Sequence, residues 1–263
     1  MMKAQGPDWI GLVWAGLPLV GCMILLAWQR LGQVRSMAIS TTRLVVQMML
    51  LAVVLRAIIA ANQPALVLSI ALAMLAVAAH TVGARQARGR WEIRVQAFGA
   101  MLVGAALVMA VSIRLSLGVQ PWYDAQTVIP MLGMILGNSV TAVSLAAERF
   151  ASDLRADRDL VELRLALGAT PRQAATPALR SAVSAGLSPI LNNMAIAGIV
   201  AIPGMTTGQL LAGADVGQAI RYQILLYLEI ASTVAISVLI LLAIRLSRHF
   251  TPAQQLRRET LEG

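Results

Sequence analysis

Residues 65–84 read ALVLSIALAMLAVAAHTVGA, twenty positions in a row without Asp, Glu, Lys or Arg. A helix of about 20 apolar residues crosses the hydrocarbon core of a bilayer, so this stretch predicts a membrane span. Working outward, six further apolar stretches fit the same length: 8–28, 44–60, 95–117, 127–147, 189–213 and 221–245. The expected fold is therefore an all-α integral membrane protein, a polytopic bundle of about seven transmembrane helices. Composition agrees. Of 263 residues, 58% are apolar and only 13% charged, with a mean hydropathy of +0.75, whereas soluble domains carry about 25% charged residues. The first stretch could be a processed leader, with Leu19-Val20-Gly21-Cys22 resembling a lipoprotein box, but the apolar run continues through Trp28 and is read as a span.

Orientation follows from the arginines. Arg30, Arg35 and Arg43 follow the first span, Arg85, Arg88, Arg90 and Arg94 the third, Arg149 to Arg180 the fifth, and Arg245, Arg248, Arg257 and Arg258 the last. The alternate connections, 61–64, 118–126 and 214–220, are nearly free of Lys and Arg. The positive-inside rule then places the amino terminus outside and the carboxyl terminus in the cytoplasm of a bacterial inner membrane. The net charge of +9 is thus topological punctuation, and nucleic acid is not an expected partner. Segment 36–43 is read as an interfacial extension of the second span. No repeat and no Gly/Ser or Pro-rich linker divides the chain, which is expected to form one transmembrane domain over 1–263 with a polar cytoplasmic region at about 148–185.

Several chemistries are excluded by what the chain lacks. Lys3 is the only lysine, so no G-x-x-x-x-G-K-[ST] phosphate loop exists, and energy from ATP has to come from a partner. H-E-x-x-H and G-x-S-x-G are absent too. One cysteine, Cys22, and two separated histidines, His80 and His249, leave no cysteine-cluster metal site. Met131, Met134, Met194 and Met205 are read as flexible packing rather than soft-metal ligands, and any metal-ligating position stays unknown.

The polar stretch from Glu148 to Arg180 mixes both signs of charge and belongs in water. Phe150, Leu154, Val161, Leu165 and Ala169 recur at helical spacing, predicting a helix with an apolar stripe. Gly168 should end it, with Thr170 as N-cap and Pro171 at the first position of the next helix. This hairpin is either a solvated connector or a docking element whose apolar anchors enter a partner's groove.

Within the membrane, Pro203-Gly204 followed by Met205-Thr206-Thr207-Gly208 should break the sixth span and free backbone carbonyls. Such a break persists when packed in protein or lining a wet cavity. Gly133 and Gly137, like Gly204 and Gly208, form small-x-x-x-small pairs suited to close helix packing. Polar groups inside spans are costly to bury, which singles out Asn138, Asn192, Asn193, Gln223 and above all Glu229. Glu229 is either a group that meets a passing cation or proton, or a carboxyl hydrogen-bonded between helices. Arg56 and Arg114, near span ends, can snorkel.

The segment Glu162-Leu163-Arg164-Leu165-Ala166-Leu167-Gly168-Ala169-Thr170-Pro171 resembles the E-A-A-x-x-x-G loop by which ABC permeases meet their ATPases, with Leu163 in place of the first Ala and no I-x-L-P ending. Taken with Ile129-Pro130-Met131, Gly133-Met134-Ile135, Gly137-Asn138, Pro203-Gly204-Met205-Thr206-Thr207-Gly208-Gln209 and Ala219-Ile220-Arg221-Tyr222-Gln223, the chain resembles the FetB-type permease family, which holds bacterial iron exporters and plant aluminium-tolerance half-transporters. That resemblance implies a non-enzymatic permease, dimeric, paired with a separate ABC ATPase that carries ATP and Mg, exporting metal ions, with iron the substrate of the bacterial members. The rival expectations are a proton-coupled secondary transporter or channel built on Glu229, a lipid-acting membrane enzyme, and a scaffold subunit.

Overall fold

The computed structural model describes residues 8–86, 90–251, 253 and 255–257. Lys3 and two of the arginines used above for orientation, Arg88 and Arg258, lie outside the described residues. Among the described residues, ten α-helices follow one another in chain order: α1 Trp9–Trp28, α2 Val34–Ala61, α3 Pro64–Arg85, α4 Arg90–Val111 with a π-helical continuation Ser112–Leu117, α5 Ala125–Ala156, α6 Arg158–Ala166, α7 Pro171–Ala174, α8 Thr176–Ile196, α9 Gly204–Leu211 and α10 Val216–His249. The bounds have local causes. Asp8, Asp124 and Asp215 cap the N-termini of α1, α5 and α10 by accepting from the backbone amides of Gly11, Thr127 and Gln218, which satisfies donors that the first turn leaves free. Asn62 ends α2 in the left-handed region.

Contacts group the chain into two compact units. One holds α1 and α2, which pack as a hairpin. Its turn passes through Arg30 and Gly32, both at positive φ. No residue of α1 is buried and Ile58 alone is buried in α2, an exterior whose natural solvent is lipid. The second span is a continuous helix from Val34, so 36–43 belongs to the same rod as 44–60.

In the other unit α5 is the hub, touching α3, α4, α8 and α10, while α10 also packs on α4 and α8. Phe150 of α5 lies 5.8 Å from His249 at the end of α10, so these two helices run in the same direction. Arg149 Nε donates to Ser181 Oγ at 2.7 Å, and Gly186 lies against Ala142 and Ala146, so α8 runs back antiparallel along α5. Gly186 is needed for that approach: a Cβ there would stand 3.0 Å from Ala142 O and 3.2 Å from Val238 Cγ2.

Among the described residues, six helices are long and apolar enough to cross a membrane: α1, α2, α3, α4 with its π continuation, α5 and α10. The expectation of seven is corrected at 189–213, which is no single helix. There α8 stops at Ile196, whose carbonyl accepts from the amides of Ile199, Val200 and Ala201, while Gly198 at φ +78° donates back to Ala201 O. The turn closes on its own carbonyls, Pro203 follows, and α9 has only eight residues. A hydropathy window reads through such a turn because Ile199, Val200 and Ile202 are as apolar as a span. The direction of the helices is unaffected: α5 and α10 begin at one end, and the arginine-rich segments 149–180 and 245–257 meet at the other.

Replacing Gly186 by Val is expected to destabilise this unit by about 1–3 kcal/mol through overpacking. A Gly137→Ala control, at a helical position where a new Cβ meets nothing within 4 Å, should leave thermal unfolding in detergent unchanged; equal melting temperatures for the two variants would remove Gly186 from its packing role.

Candidate functional site: an exposed hairpin and a buried polar seam

The polar region is built as an extension of the membrane helices. α5 continues without interruption from its apolar half into the charged stretch, burying Phe150 and Leu154, and α6 tucks Val161 beneath itself. Leu165 is half-buried, whereas Leu160, Leu163 and Leu167 stay exposed, Leu167 at 79%. Positions 160, 163 and 167 share one helix face. Around them Arg158 pairs with Glu162 at 3.2 Å and Arg164 Nη1 donates to Ala174 O at 3.0 Å.

The turn after α6 is firmly made. Gly168 sits at φ +89°, a conformation that costs other residues strain. Ala166 and Gly168 are exposed and Ala169 is half-buried. Thr170 and Gln173 form a reciprocal capping box with Pro171 in the first turn. Thr170 and Pro171 also line a pocket with Leu246, Phe250 and Thr251, so the turn lies beside the end of α10.

The membrane candidates separate into two groups. Asn138 is half-buried on α5, and its Nδ2 donates to Met134 O of its own helix at 2.9 Å. Asn192 and Asn193 are exposed on the last turn of α8. A Cβ added at Gly137, Gly204 or Gly208 would meet nothing within 4 Å, while one at Gly133 would stand 3.4 Å from Met74 Cε, so of the four paired glycines Gly133 alone has a neighbour at ordinary contact distance. Pro203 stands just before α9 and Met205 is half-buried within it. Thr206, 5% exposed, donates to Gln223 Oε1 at 3.1 Å. The break and the polar start of α10 are thus joined by a hydrogen bond between two residues singled out separately in the sequence.

Glu229 lies deeper along α10 and is buried, accepting a hydrogen bond from Ser112 in the π-helical turn that continues α4. It does not contact the Thr206–Gln223 pair through any hydrogen bond. Its neighbours at i+4 and i+8, Thr233 and Ser237, have no exposed surface, and Gly104 of α4 lies against both of them, 2.7 Å from Ser237 Oγ at its Cβ position. Sequence reasoning missed Ser112, Thr233 and Ser237; the four-residue spacing from Glu229 was the available signal. Separately, an apolar cavity of about 470 Å³ opens among α3, α4 and α5, with Arg114 and Trp122 among its lining residues, and holds none of the candidates. Among the described residues no three His, Cys, Asp or Glu side chains come together as a metal cage.

A family model described as "Uncharacterised protein family (UPF0014)" matches residues 9–250. The chain belongs to this family. It is 35% identical over 229 residues to the UPF0014 membrane protein YjkA of Bacillus subtilis, an alignment covering 86% of this chain and 89% of the relative. It is 29% identical over 243 residues to the probable iron export permease protein FetB of Escherichia coli, covering 91% and 92%. With the protein ALUMINUM SENSITIVE 3 of Arabidopsis thaliana the identity is 29% over 247 residues, covering 92% and 88%. No solved structure matches. The kinship with FetB-type proteins inferred from the motifs is therefore confirmed over nearly the whole chain, which is a multi-pass membrane protein of the UPF0014 family. The match runs through the α6–α7 hairpin, the broken segment and all of α10, so both groups of candidates lie within the family's common length.

Thr206→Val and Gln223→Leu together should show coupling. A double-mutant cycle in thermal stability is expected to return about 0.5–1.5 kcal/mol for the hydrogen bond; additive losses would mean that the bond does not join α9 to α10.

Proposed function

We propose that the chain is the permease subunit of an ATP-driven transporter and that a separate ABC ATPase, holding ATP and Mg, docks on α6. The carrying observation is the exposed row Leu160, Leu163 and Leu167 on a short, firmly anchored helix otherwise set among charges. Three leucines facing water at one spacing cost apolar hydration unless a partner covers them, and an amphipathic helix laid in a partner's groove is a recurrent mode of docking. The ABC-type E-x-x-x-x-x-G pattern, Glu162 to Gly168, supports the same reading. The chain itself performs no hydrolysis in this scheme.

Kinship with the probable iron export permease of Escherichia coli supports a metal ion, iron first, as the substrate, moved out of the cytoplasm across the bacterial inner membrane. The arginine-rich ends of α5 and α10 then face the cytoplasm and the amino terminus faces outward. ATP-driven transporters use two ATPase domains and each chain offers one α6, so two copies make the working unit. Force applied at α6 passes into α5 and α8, which flank the hairpin, and can shift the broken segment 197–203 and the Thr206–Gln223 contact between inward-open and outward-open forms.

The test is affinity purification of tagged protein in mild detergent, comparing wild type with Leu163→Glu plus Leu167→Glu. Both side chains are exposed, so the variant keeps its fold. Removing two exposed leucines that docking would bury, at about 1.5–3 kcal/mol each, corresponds to roughly 10²–10⁴-fold weaker docking. Wild type should bring down a Walker-containing ATPase with vanadate-sensitive activity and the variant should not. If neither protein captures an ATPase, the docking reading fails and the proton-driven alternative replaces it.

A further inference from the structure

A hydroxyl on a membrane helix is ordinarily satisfied by the carbonyl four residues back, as Thr41, Thr42, Ser69, Thr81, Ser144 and Ser188 are in their own helices. Thr233 and Ser237, like Ser139 on α5, are not. All three are fully buried, and among the described residues their hydroxyl oxygens and Glu229 Oε2 have no hydrogen-bond partner. Three polar groups left free in one row, on the face of α10 that meets α4, are expensive in a membrane. They are held open for something.

Their spacing suggests what. Four residues of α-helix rise about 6 Å, and one water with a hydrogen bond of about 2.8 Å on each side spans nearly that distance. The row of Glu229, Thr233 and Ser237 thus has the spacing of polar groups linked through single waters, each hydroxyl able to donate and accept. A multivalent metal ion is a poor occupant, because the row contains one carboxylate and no His or Cys. Charge from the surrounding helices does not intrude. Residues 95–111 of α4, 125–147 of α5 and 181–196 of α8, the stretches that pack along this part of α10, contain no titratable side chain. Arg114 is exposed beyond Ser112 on the π-helical turn, and Tyr227 lies two residues before Glu229 on α10 itself.

The four-residue series continues through Leu241, fully buried, to Arg245 and His249 at the arginine-rich end. The antiparallel register set by Ser112 on Glu229 and by Glu92 on Arg248 places Gln96 of α4 at the level of Arg245, with its Oε1 also buried and unpartnered. One apolar side chain thus separates two polar stretches. An uninterrupted row would short-circuit the membrane, and Leu241 is where the interruption falls.

We propose that the α4–α10 seam is a proton site: Glu229 takes up and returns one proton by way of Thr233 and Ser237, and Leu241 closes the row against leakage. Only O–H bonds are exchanged. The proton enters as hydronium at the water beside Ser237, passes along the hydroxyls to the free Oε2 of Glu229, and leaves by the same atoms or past Ser112. The site stands whether or not an ATPase drives transport.

The test uses the full-length protein in proteoliposomes with an entrapped pH dye and an imposed potential. Leu241→Ser should raise passive proton flux several-fold over wild type, and adding Glu229→Gln should return it to the wild-type level. A folded Leu241→Ser protein without extra flux, or flux indifferent to Glu229→Gln, overturns the proposal. If Leu241→Ser does not purify as a single species, wild type and Glu229→Gln decide alone by infrared difference spectroscopy between acidic and alkaline buffer. A carboxyl band that titrates in wild type and vanishes in Glu229→Gln supports the proton site; a band that never changes with pH leaves Glu229 a fixed hydrogen-bonding post and the proposal is wrong.

Discussion

Water is missing from the place where most of this chain lies, and every polar group there has to be completed by the protein. That requirement makes the backbone helical and shapes the irregular segment between α8 and α9. Between Ile196 and Ala201 the chain stops being a helix without abandoning its hydrogen bonds: a single carbonyl takes three amides and Gly198 returns the fourth. The same requirement makes the α4–α10 seam conspicuous. Thr233 and Ser237 are fully buried without a hydrogen-bond partner among the described residues, and Gly104, which cannot gain a Cβ without striking Ser237, keeps α4 close beside them.

Helix continuity then links the membrane interior to the polar end. α5, with 32 residues, is about 48 Å long at 1.5 Å per residue, well beyond the roughly 30 Å hydrocarbon core. Its surplus carries Phe150 and Leu154 out of the core as the floor on which α6 rests. α10 is longer still at 34 residues and meets α5 again at Phe150 and His249. The hairpin is therefore not a loop hung between helices. It is braced by the two longest rods in the unit and by α8, whose Ser181 is held by Arg149.

Much of this was legible in composition and periodicity. Residue 65–84 could hardly be anything other than a buried or spanning helix, and Gly168, Thr170 and Pro171 announced the end of one helix and the cap of the next through their own backbone preferences. The span at 189–213 was misread because hydropathy averages over residues that a left-handed glycine and a proline divide. Thr206 and Gln223 were each noticed, but their bond crosses seventeen positions and a loop, and no local pattern encodes such a pairing. Thr233 and Ser237 passed unnoticed because a hydroxyl in a membrane helix is ordinarily cheap; only its missing carbonyl partner, visible in three dimensions, makes it costly.

The two candidate regions share one mechanical element. Gln223 and Glu229 sit six residues apart on α10, and the same helix ends at the pocket that Thr170 and Pro171 complete. A straight helix transmits a displacement of its end with little loss, since shortening it would break backbone bonds that nothing in the bilayer can replace. Movement of the hairpin toward or away from Phe250 would accordingly slide or tilt α10 as a whole, altering the Thr206 contact and the fit of Ser237 against Gly104 together. Gly104 leaves almost no slack at that point, with Thr233 O at 3.1 Å from its Cβ position. A shift along the seam therefore changes how the row of hydroxyls lines up, which ties the α4–α10 contact to the hairpin at one end of α10 and to the buried carboxyl at Glu229.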